Sequence, residues 1–183
     1  MKEKTSKQRY LDGDDYLLRT NPRQIAGFIQ FCETCQQLVS EANYLEIGSW
    51  VGESALMIGS FKFVKSITSI DQCSVIVDEY YKNLSCLKKD VRYINKKSCD
   101  AVIDICDDSI DILYIDGGHM HDIVKRDLLD YYPKVKHGGV IGGHDYHNIN
   151  HPDVKLAVDE FCEEFGLNVD YKFIDSSFII KKI

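Results

Sequence analysis

At 183 residues and 44% hydrophobic content, the chain has the size and apolar share of one globular domain with a sizeable core; two full domains would be cramped. A formal charge of −7 without a dense Lys/Arg block excludes nucleic acid or an anionic membrane as the main partner class and points to a small molecule. No run approaches a membrane span, the charged start M-K-E-K-T-S-K-Q-R-Y leads into no apolar signal core, and an odd seven cysteines suit a reducing compartment, so a cytoplasmic protein is expected.

Residues 1–20 are polar and unpatterned and read as an N-terminal arm; residues 21–183 read as a single domain. Asn21-Pro22 supplies a cap and a first-turn proline, after which Ile25, Phe28, Ile29, Cys32 and Val39 recur at helical spacing, predicting a helix of about five turns. Cys32 and Cys35 make a lone C-x-x-C with no second pair or His cluster, and their shared helical face favours core packing over metal or redox work. From Tyr44 onward short apolar runs alternate with amphipathic ones: Y-L-E-I then S-A-L-M-I-G-S-F, S-I-T-S-I then V-I-V-D-E-Y-Y-K-N-L, V-R-Y-I then D-A-V-I-D-I. I-L-Y-I with D-I-V-K-R-D-L-L-D-Y-Y and G-V-I-G-G with D-V-K-L-A-V-D-E-F-C-E-E-F continue the rhythm. Such alternation predicts an α/β, Rossmann-like, doubly wound, mostly parallel sheet covered on both faces. N-V-D-Y-K-F-I-D and S-S-F-I-I-K-K-I, barely separated, predict a closing antiparallel hairpin. Function is then expected at the carboxyl ends of the strands, where their order reverses.

The first strand ends in E-I-G-S-W-V-G-E-S, Glu46 to Ser54. A dinucleotide fingerprint starting at Gly48 requires glycine at positions 50 and 53, where the chain has Trp50 and Glu53, and an acid at a helix start repels a phosphate. Glu46 can instead take an ammonium group, with Gly48 and Gly52 keeping the turn open. Asp71, nineteen residues beyond Gly52, ends the second strand and can accept both hydroxyls of a ribose. Ammonium at one end, ribose at the other and no phosphate between describe S-adenosylmethionine. The plainer readings are a turn cap for Glu46 and a solvated strand-end acid for Asp71.

Y-L-E-I-G-S-W-V-G-E-S-A, S-I-D-Q, D-I-L-Y-I-D-G-G-H and G-G-V-I-G-G-H-D-Y, in this order, resemble the class I S-adenosylmethionine-dependent methyltransferases. Within these they look most like the macrocin and rhamnosyl small-molecule O-methyltransferase group. The resemblance covers about residues 22–180 and implies a seven-stranded sheet with the final strand antiparallel. It implies that Glu46, Gly48, Ser49, Gly52, Asp71 and Gln72 line the cofactor site, with Ser98 near the adenine and Asp116 at its border.

Asp116 ends the fourth strand, and His119 follows after two glycines, so both side chains share one short turn. An alcohol is a poor nucleophile until its proton is removed, and imidazole titrates near neutrality. In the related O-methyltransferases the corresponding acid is a divalent-metal ligand and the His three residues on is the proposed base; the resemblance carries these roles to Asp116 and His119. The fifth strand ends in His144-Asp145-Tyr146, where metal-dependent relatives often have two acids or an Asp-Asn pair. Asp116 and Asp145 are therefore the candidate ligands of a Mg²⁺ whose shell water completes, and without a metal His119 or His144 has to act as base. The plainer alternatives are a helix cap for Asp116 and a simple turn ion pair for His144-Asp145.

The expected function is methyl transfer from S-adenosylmethionine to a hydroxyl of a sugar or another small metabolite, in a chain that can form a homo-oligomer. The alternatives are a nucleotide-binding oxidoreductase on the same fold, which Trp50 and Glu53 disfavour, and a non-catalytic S-adenosylmethionine-binding protein, which the two acid and His clusters disfavour.

Overall fold

A computed structural model describes residues 22–183; the expected arm over 1–20 and the Asn21 cap lie outside the described residues. Helix α1 (Pro22–Leu38) buries Phe28, Phe31, Cys32 and Cys35, a stripe at three- and four-residue spacing. Ile29 sits about 100° round the helix from Phe28 and is 38% exposed, so Phe31 takes the core position expected of Ile29. Both thiols of the C-x-x-C are free, buried and pushed up by that burial, as core packing requires.

Strand and helix then alternate as β1 (Ala42–Ile47), α2 (Glu53–Gly59), β2 (Val64–Ile70), α3 (Val77–Leu84), β3 (Asp90–Ile94) and α4 (Ser98–Ala101). They continue as β4 (Ile110–Ile115), α5 (His121–Tyr131), β5 (Val135–Gly143) and α6 (Pro152–Phe165), and close with β6 (Val169–Lys172) and β7 (Phe178–Lys181). The seven strands lie in the order β3-β2-β1-β4-β5-β7-β6. The first five pair in parallel, and β7 runs antiparallel to both β5 and β6, the hairpin that the short link demands. Successive strands step outward one way from β1 and the other way from β4, so the crevice expected of a doubly wound sheet opens at the carboxyl ends of these two.

Period-two alternation distributes the strand side chains. Tyr44, Ile67, Ile112 and Tyr114 face Phe28, Phe31, Ile58 and Tyr80 of α1 to α3. Leu45, Ile47, Leu113 and Ile115 face Val124, Leu128 and Phe161 of α5 and α6. Gly142 of β5 lies under the Phe31 ring, where a Cβ would come within 2.5 Å of Cε2. Phe31 has no exposure, and its burial contributes about 2–3 kcal/mol. No helix among the described residues is long and apolar enough to cross a membrane.

Candidate active site

The turn after β1 is held by both neighbours. Gly48 N–H donates to the Ile70 carbonyl at 2.8 Å, and Asp116 N–H donates to the Ile47 carbonyl at 2.8 Å. Gly48 has φ +85°, and a Cβ there would lie 2.2 Å from the Asp116 carbonyl oxygen, so the turns after β1 and β4 touch backbone to backbone. Gly52 caps α2 at φ +82° against Leu84 and Tyr80. Asp71 Oδ2 accepts from Trp50 N–H at 2.9 Å and Oδ1 from Cys73 N–H at 2.8 Å, which ties the first turn to the end of β2 and leaves each oxygen a further lone pair. Ser49 is 3% exposed, and its Oγ has no hydrogen-bond partner. Gln72 is exposed beside Asp71, and Ser98 opens α4 with its carbonyl accepting from the Tyr131 hydroxyl at 2.8 Å.

Glu46 is held by hydroxyls. Its Oε2 accepts from Tyr44 Oη at 2.9 Å and Ser54 Oγ at 2.7 Å, its Oε1 accepts from Ser69 Oγ at 2.7 Å, and Tyr80 Oη donates to Ser69 Oγ at 2.7 Å. At 1% exposure the carboxyl is enclosed by these hydroxyls beneath the turn. Burial pushes it up to about 7, with the three hydroxyl donors opposing.

The second cluster is centred on Asp145, which is 5% exposed and held at φ +63°. Its Oδ2 lies 2.9 Å from His119 Nε2. Its Oδ1 accepts from Asn148 Nδ2 at 2.7 Å and lies 3.2 Å from His144 Nδ1, which is itself 3.7 Å from Asp116 Oδ1. Against the cost of its own burial, bonds from His119, His144 and Asn148 hold the Asp145 carboxyl far below the carboxylate range. Burial alone lowers His144, but Asp145 and Asp116 together raise it to about 9. His119 is raised chiefly by its bond to Asp145. Burial lifts Asp116 to about 6, with His144 opposing and Asp145 adding. Asp116 does not cap α5, whose N-cap position is Met120; His144 and Asp145 do form the expected turn pair, within a larger network. Asp116, His119 and His144 line a shallow recess with Val124, Leu128, Val154 and Phe178 behind them.

A Mg²⁺ between Asp116 and Asp145 does not fit this donor set. Mg²⁺ demands an oxygen shell, and here the His144 imidazole stands between the two acids while Asp145 has His119 on one oxygen and Asn148 on the other. Sequence reading also missed residues whose signal is only spatial. His151 stacks on His119 at 4.2 Å, and Asp127 of α5 is 2% exposed with Oδ2 unpartnered. His121, given no catalytic role, bridges Asp122 and Glu160, and Lys125 pairs with Glu160 at 2.8 Å.

Residues 45–146 match a family model described as a methyltransferase domain. An uncharacterized protein of Acanthamoeba polyphaga mimivirus is 30% identical over 145 residues, 73% of this chain; the chain spans 66% of that protein, just under two thirds. Among solved structures, the N-methyltransferase NodS from Bradyrhizobium japonicum in complex with S-adenosyl-L-homocysteine superposes with a TM-score of 0.68 at 11% identity, covering 92% of this chain and 90% of that one. A TDP-rhamnose 3'-O-methyltransferase of calicheamicin biosynthesis superposes with a TM-score of 0.64 at 8% identity, covering 98% and 88%. At these identities the likeness is one of fold.

Proposed function

We propose that this chain, which belongs to the methyltransferase-domain family matched by its residues 45–146, transfers a methyl group from S-adenosylmethionine to a hydroxyl of a sugar or another small metabolite. The observation that carries the reading is the His119–Asp145 pair at the lip of the recess, beside the turn that joins the ends of β1 and β4. The cofactor's chemistry fits the first turn: Ser49 Oγ is buried without a partner, Asp71 keeps lone pairs for hydroxyls, and Glu53 at the start of α2 repels the phosphate of a dinucleotide. When bound, S-adenosylmethionine supplies a methyl group activated by a sulfonium.

The chain's own residues do the rest. Asp145 accepts the His119 Nε2–H, which assigns the lone pair to Nδ1 and keeps the imidazole oriented. The side chain of His119 is 39% exposed, so a hydroxyl can reach it. The proton of an acceptor hydroxyl passes to His119 Nδ1, and the buried Asp145 carboxylate stabilises the resulting imidazolium, so that the oxygen would be free to take the methyl group that a bound S-adenosylmethionine would supply. Asp116, at the border of the recess, positions the acceptor by hydrogen bonding. The apolar floor of Val124, Leu128, Val154 and Phe178 excludes water behind it.

Calorimetric titration with S-adenosylmethionine, with NAD as the comparison, tests the reading. Saturable binding of the first alone is expected, followed by turnover with one of a panel of sugar and phenolic hydroxyl acceptors. His119→Ala should abolish turnover while retaining cofactor affinity. Binding of NAD in place of S-adenosylmethionine, or full activity in His119→Ala, refutes it.

A further inference from the structure

We propose that His119, Asp145 and His151 form a binding site for a divalent transition-metal ion of the Zn²⁺ class. One donor atom from each of the three lies within 4.8 Å of the others. Donors bound tetrahedrally at about 2.1 Å stand about 3.4 Å apart, so the widest gap has to close by little more than about 1 Å. His119 Nε2 and Asp145 Oδ2, now hydrogen-bonded at 2.9 Å, have to part by about 0.5 Å as the ion replaces the shared proton.

The loop after β5 builds this arrangement. Asn148 N–H donates to the Asp145 carbonyl at 3.1 Å and His151 N–H to the Asn148 carbonyl at 3.0 Å, two consecutive turns that bring His151 against His119 with ring planes 19° apart; an imidazole holds an ion in its own ring plane, so binding turns the His151 ring out of this stack. Asn148 Nδ2 bonds Asp145 Oδ1 and leaves Oδ2 facing His119, the outer support that metal-bound carboxylates require. Two imidazoles and one carboxylate select Zn²⁺, Co²⁺ or Ni²⁺ over Mg²⁺. His119 and His151 are both partly exposed, so an ion reaches them from solvent and keeps an open coordination position. One consequence rests on the methyltransferase reading: an imidazole ligated through Nε2 carries its proton on Nδ1 and cannot accept another. Metal binding and proton abstraction at His119 then exclude each other, and the ion acts as an inhibitor.

The test titrates the full chain, with accessible thiols alkylated, with Zn²⁺ and separately with Mg²⁺, and records the visible absorption of the Co²⁺ form. One Zn²⁺ per chain, no saturable Mg²⁺ binding and Co²⁺ bands of nitrogen and oxygen ligation are expected. His151→Ala and Asp145→Asn should each weaken Zn²⁺ at least tenfold, the usual effect of disturbing such a shell. His144→Ala, on the far side of Asp145, should leave it within threefold. Equal Zn²⁺ affinity in His151→Ala, a loss that follows His144→Ala instead, or a thiolate charge-transfer band in the Co²⁺ form each overturns the site. Zn²⁺ binding without S-adenosylmethionine binding would refute the methyltransferase reading alone.

Discussion

Replacing Glu46 by Gln should flatten the dependence of stability on alkaline pH. The Glu46 carboxyl is 1% exposed, and burial raises it from its ordinary 4.5 to about 7. The folded state therefore binds the Glu46 proton more tightly than the unfolded chain does. Its contribution is fully present below pH 4.5 and is lost as pH rises through about 7. At about 1.4 kcal/mol for each pH unit, the rise corresponds to about 3 kcal/mol, or about 6–12 °C in Tm for a chain of this size. Gln keeps the shape and stays neutral, and the hydroxyls of Tyr44, Ser54 and Ser69 can both donate to and accept from its amide. Urea unfolding of both proteins at pH 5 and pH 8.5 isolates the effect, because the other carboxyls are common to the two. The wild type should lose about 2.5 kcal/mol more than Glu46→Gln between these pH values, since pH 5 already lies above the unfolded 4.5. Parallel losses in the two proteins would refute the buried, proton-retaining carboxyl.

Asp145→Asn removes the partner that holds His119 above its ordinary 6.5, so the acid limb of the pH–rate profile should move to lower pH while the maximal rate falls about a hundredfold or more; an unmoved limb excludes the pair as the base. Gly48→Ala meets both the left-handed backbone and the Asp116 carbonyl and should cost well over the about 1–2 kcal/mol of the backbone alone. Gly138→Ala, at φ +77° with open space around it, should cost only that backbone share, so similar chemical-denaturation midpoints for the two would contradict the close approach at Gly48. Phe31→Ala empties the space above Gly142 and should cost about 3–5 kcal/mol by the same measurement.

The sheet was legible because parallel strands buried on both faces write themselves as short apolar runs, and a two-run ending with almost no link can only turn back. Asp71 and Asp116 stand out for a related reason, each directly following such a run at its carboxyl end, and Asp145 comes two residues after the fifth. Ile29 misled because the eight apolar residues of α1 allow more than one stripe, and only the position of Tyr114 and Gly142 beneath the helix selects Phe31. The hydroxyl shell of Glu46 was not legible because its members come from β1, α2 and β2, and no local pattern pairs Ser54 or Ser69 with it. His151 left no trace in the chain, since its stacking on His119 depends on two loop turns 32 positions further on.

The strand order has a consequence for self-association. Among the described residues the two rims of the sheet are β3, D-V-R-Y-I, and β6, V-D-Y-K, and both carry charges along their outer ladder. Asp170 on β6 turns inward to accept the Lys181 N–H at 2.8 Å. Charged, short rims resist docking of a second sheet edge, so growth into fibrillar or continuous-sheet assemblies is opposed at both ends of the molecule.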